Sequence, residues 1–77
     1  MKPLLFRVTV QVAVYDRWGA RTSFITWDVR AGTITRAVVK AQKKVARETT
    51  WNGRNYGKEY FVLSVENAED SNERLEF

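Results

Sequence analysis

The sequence predicts a small α+β domain with elements in the order β-β-α-β, and three patterns carry that prediction. Apolar residues alternate with polar ones from Leu4 to Tyr15, and the alternation resumes from Arg21 to Arg30 after a break of turn-type residues. A central segment changes period, placing Ile34, Ala37, Val38, Ala41 and Val45 at steps of three and four, the signature of one helix face. Strand-type residues then return between Glu59 and Glu66.

In the first strand Phe6, Val8, Val10, Val12 and Val14 share a face, with Arg7, Thr9, Gln11, Ala13 and Tyr15 on the other, so one face is expected in the core and one open. Asp16-Arg17-Trp18-Gly19-Ala20 supplies a turn, with Gly19 the residue suited to a positive φ, and the pattern fits either a short bulged turn or a five-residue loop. The second strand follows with Ile25, Trp27 and Val29 on one face. Ala31-Gly32-Thr33 breaks it, and Thr33 or Thr35 can cap a helix that runs to about Thr49. Thr50 to Lys58 reads as a loop because it carries Asn52-Gly53, Asn55 and Gly57. The third strand is expected to turn Phe61, Leu63 and Val65 inward, which leaves Tyr60 and Val62 on the open face. The expected domain spans residues 1–66. Residues 67–77 form either an acidic tail or a short fourth strand anchored by Leu75 and Phe77. A crossover through the helix places the third strand antiparallel beside the first, which makes the first strand central in a three- or four-stranded sheet covered by the helix on one face.

Composition narrows the chemistry. The 77 residues include no cysteine and no histidine, which removes thiolates, disulfides, the usual zinc ligands and the side chain that titrates near neutrality. Asp16, Asp28 and Glu48 have no partner spacing of a carboxylate pair, and Ser23, Ser64 and Ser71 lack an evident base. No phosphate-cradling glycine pattern is present, so neither an enzyme nor a cofactor or metal site is expected. Arg7, Thr9 and Gln11 interrupt the apolar start, and no run reaches the ~18 apolar residues of a membrane span, so a soluble, cytoplasmic protein is expected.

Charge is distributed unevenly. Up to Lys58 the chain carries +9, and from Glu59 onward −5, which together give the net +4. On the helix, Arg36, Lys40, Lys43, Lys44 and Arg47 are expected on the face opposite the apolar stripe, with Glu48 the one acid of that segment. Like charges at i and i+4, such as Arg36 with Lys40 and Lys40 with Lys44, each cost about 0.2–0.5 kcal/mol in a helix. With Arg54 and Lys58 from the following segment, these cations form a candidate surface for DNA or RNA phosphates. An ordinary solvated face, partly neutralised by the acidic end, is the alternative. In the segment Trp51 to Lys58, rings alternate with cations and amides, which suits either base stacking or closure of the core.

A second surface points to a protein partner instead. Tyr15, Phe24 and Tyr60 are expected on the open sheet face and Trp18 at the hairpin tip, where aromatic residues, together with the acidic end, suit a partner protein, or a homodimer formed through the face or an edge strand. In format, though in no motif, the chain suits an accessory protein of the phage or mobile-element kind that inhibits or adapts a host machine.

Overall fold

The computed structural model describes residues 3–53 and 56–77, and its elements are β1 (Leu4–Asp16), β2 (Gly19–Ala31), α1 (Ile34–Glu48), β3 (Thr50–Gly53), β4 (Tyr56–Asn67) and β5 (Asp70–Glu76). They build one five-stranded antiparallel sheet in the order β2-β1-β4-β3, with β5 also paired to β4. β1 is central, flanked along its length by β2 and β4 as the crossover requires. Among the described residues no helix is long and apolar enough to cross a membrane.

Alternation in β1 explains the core directly: Phe6, Val8 and Val10 are fully buried and Val12 nearly so. The helix lies over this face and buries Ala37 and Ala41, whose small side chains let its axis approach the sheet closely. Thr33 caps the helix, its hydroxyl oxygen accepting the N–H of Arg36 at 3.2 Å. At the other end Thr49 leaves helical geometry, its N–H donating to the Val45 carbonyl while its hydroxyl accepts the Tyr60 N–H.

The β1–β2 and β4–β5 hairpins use the same device. Arg17 and Trp18 form a two-residue connection between the paired residues Asp16 and Gly19. There the Trp18 N–H donates to the Asp16 carboxylate at 2.9 Å, and Gly19 takes a positive φ of 120°. Ala68 and Glu69 likewise connect Asn67 to Asp70, and the Glu69 N–H donates to the Asn67 side-chain oxygen at 2.9 Å.

Three expectations are corrected. The segment from Thr50 to Lys58 is not one loop: its first residues form β3, and β4 begins at Tyr56. The acidic end takes the strand alternative, as β5, where buried Asn67 ties the β4–β5 turn together and also donates to Glu73 at 3.1 Å. The sheet therefore has five strands rather than three or four. The third correction concerns faces. Thr9 pairs with Ser64 but Val10 pairs with Val62, so Leu63 is an extra residue that reverses the alternation of β4. Val65 faces the helix on one side of this bulge, and Val62 and Tyr60 face it on the other, while Phe61 turns to the open face. A straight strand would have brought Glu59 to the helix side along with Phe61.

Candidate functional site

Two surfaces result, one on each side of the sheet. On the helix side, Lys40, Lys43, Lys44 and Arg47 line a groove of about 560 Å³ between α1 and the edge strand β2, with Asp28 and Val29 on the strand side. The i, i+3, i+4, i+7 spacing places these residues on one flank of the helix. They are not uniformly solvated opposite the apolar stripe, as the sequence suggested. The Lys44 ammonium lies 4.6 Å from the centre of the Trp27 ring, which itself stacks on Tyr60 at 6.0 Å. The Lys40 ammonium donates to the Arg30 carbonyl at 2.6 Å, covering one backbone acceptor at the β2 edge. Both long side chains thus bridge the gap between helix and strand, with their charges at the groove. Arg36, in the first helical turn, is exposed but does not line the groove.

Cross-strand register extends this charge beyond the helix. Arg21, Val14 and Lys58 are consecutive neighbours across β2, β1 and β4, and Val14 packs against the core, so Arg21 and Lys58 stand on the helix side. Both are exposed, further towards the hairpin tip than the helix reaches. Arg54 lies outside the described residues. Among the described residues, the ion pairs join Arg21 to Asp16 and Arg74 to Glu66 and Glu76. The four groove cations and Lys58 take no part in them, and the acidic β5 lies across β4, at the opposite edge of the sheet from β2.

The open side is different in kind. Phe24 and Phe61 both pair with Gln11 and flank it, 65% and 43% exposed. Thr9, Thr26 and Ser64 make the next row, uncharged throughout. Beyond it, Arg7 stands between Asp28 and Glu66, a row of alternating sign. At the other end Tyr15 stacks on Trp51 at 5.4 Å over Gly57, which pairs with both. Of the four residues proposed for a protein interface, Phe24 and Tyr15 are on this face and Trp18 is at the tip, 80% exposed. Tyr60 is not, because the bulge turns it under the helix. Phe61 takes its place, and no single-strand pattern could reveal that exchange, since Tyr60, Phe61, Val62 and Leu63 are all apolar.

Chemically, the helix side can hold an extended anion and the open side can bury against an apolar surface. Among the described residues no cluster of three metal-ligating side chains occurs. No protein-family model matches the chain, and the comparisons with curated proteins and with solved structures find no match either.

Proposed function

We propose that this protein is a noncatalytic nucleic-acid-binding module that grips phosphates with its helix side. The observation that carries the reading is the alignment of Lys40, Lys43, Lys44 and Arg47 along one groove, continued by Lys58 and Arg21, with no carboxylate paired to the groove cations among the described residues. A helix optimised only for stability would intersperse acids at i+4 and keep cations out of its first turn, where the macrodipole opposes Arg36. Charge of one sign on a rigid flank suits a phosphate chain, whose neutralisation releases counterions.

The test is binding of short labelled single- and double-stranded DNA and RNA across a salt series. Wild type is expected to bind at micromolar concentration or tighter, with affinity falling steeply as salt rises. The double substitution Lys40→Glu with Lys43→Glu is expected to abolish binding while the thermal transition persists. Each phosphate contact removed singly should reduce the salt slope by about 1. Absence of binding at low salt would sink the proposal.

One observation favours a second reading. The uncharged row Phe24–Gln11–Phe61 with charged residues beyond it has the layout of a protein interface, an apolar centre within a polar rim. In that reading the partner is a larger protein or a second copy of this chain, and Phe24→Ser rather than charge reversal abolishes association.

A further inference from the structure

The hairpin tip deepens the nucleic-acid reading, and this inference rests on it. We infer that Trp18 is a wedge that inserts between base pairs of double-stranded DNA while the helix-side cations hold the backbone. The molecule is elongated, 47 Å along its main axis and 19 Å across, and the end of the β1–β2 hairpin forms one extremity. Trp18 sits at that extremity, 80% exposed, with the Arg17 guanidinium 4.3 Å from its ring centre.

An indole so exposed at the end of a tight turn is not a core residue that strayed. Its position is braced by three local features: the Trp18 N–H bond to Asp16, the Arg21 ion pair to the other oxygen of that carboxylate at 2.9 Å, and the positive φ of Gly19. Substituting the turn by a floppy loop would cost an inserted ring its aim. Asp16 is the one acid at the tip, and its charge is met by Arg21, so Arg17 leaves the tip net positive.

Spacing favours a duplex. From Gly19 at the tip to Trp27 beside the groove, the strand advances about 26 Å, about three-quarters of one turn of B-form DNA. The cations along this edge therefore meet backbone within one helical turn of the wedge. A single strand would instead call for successive exposed rings beside the charges. On the helix side Trp27 and Tyr60 are stacked on each other beneath Lys44 and are not free to receive bases. Proteins that insert an apolar side chain at a base step kink the duplex by about 20–90°, which gives the inference a direct readout.

The experiment uses the full chain and a short duplex carrying 2-aminopurine beside a central TA step, the kind of step most easily unstacked, with a fluorescence donor and acceptor at its ends. Wild type should raise the 2-aminopurine emission and shorten the end-to-end distance. Trp18→Ala should bind about tenfold more weakly, with an unchanged salt slope and neither optical change. Its thermal transition should match wild type because the ring contributes little to the core. Lys43→Glu should lose affinity and salt slope together. The inference is overturned if Trp18→Ala retains the emission and distance changes, or if wild type binds duplex without producing them, outcomes that leave the phosphate-binding reading intact. Absence of any nucleic-acid binding by wild type would overturn both.

Discussion

The two faces of the sheet arise from the same alternating strands, yet they end as opposites. On the helix side, apolar side chains of β1 are sealed under Ala37 and Ala41, and cations outnumber acids along the rim, from Lys40 at one end to Arg21 and Lys58 at the other, with Asp28 and Asp16 among them. On the open side, a row of alternating charge, Asp28–Arg7–Glu66, lies to one side of an exposed aromatic row, and Tyr15 stacks on Trp51. The helix makes this difference. By sealing one face it frees the rim of that face to carry like charges, whose mutual repulsion the buried core offsets, while the uncovered face keeps its charges balanced.

The largest effect is expected where the sealed face is strongest. Val10 is fully buried in the central strand, next to the register shift, so Val10→Asp introduces a carboxylate with no partner and should cost about 4 kcal/mol or more. In a domain of this size that is most of the stability, and loss of the cooperative thermal transition by circular dichroism is the expected result. A folded variant would mean that Val10 does not face the helix. A smaller loss is expected on the open face at Gly57. A Cβ there would run into the Thr50 backbone carbonyl and come within 2.7 Å of the Trp51 ring, so Gly57→Ala must shift β3 as well as the stack on Tyr15 and should cost about 3 kcal/mol. Retained near-UV circular dichroism with an unchanged midpoint would show that the stack does not depend on this approach.

What could be read from the sequence and what could not divide along the same physical line. The β1–β2 hairpin, the helix with its Thr33 cap and the central place of β1 follow from local periodicity and from the crossover constraint, and each is present. The Leu63 bulge is invisible to periodicity because a run of apolar residues scores equally well in either register; only packing against Ala37 and Ala41 and the placement of Gly57 beneath Trp51 decide it. At β5 the sequence leaves strand and tail both open, for another reason. Its strand carries charge at Asp70, Glu73, Arg74 and Glu76, and its pairing depends on one side chain, Asn67, acting in the turn. The clustering of Lys40, Lys43, Lys44 and Arg47 is legible from their spacing, whereas the separation of Arg36 from them is not. Their continuation through Arg21 and Lys58 is not, because it exists only across strands whose register the chain does not announce.

The smallest expected effect on stability separates the two functional readings. Phe24 lies on the edge strand with 65% of its surface in solvent, and its neighbour Gln11 is polar, so Phe24→Ser removes little buried area and should move the thermal midpoint by no more than the equivalent of about 0.5 kcal/mol. If the helix side carries the function, its affinity for nucleic acid and the salt slope should be the same as in wild type, since Phe24 and the groove cations are on opposite faces of the sheet. If the open face is an interface, the variant should instead lose partner binding or, for a homodimer, sediment as a monomer where wild type does not. A variant with weakened nucleic-acid binding and an unaltered fold would show that the aromatic row and the cationic groove serve one ligand, and would end the separation of the two faces on which both readings stand.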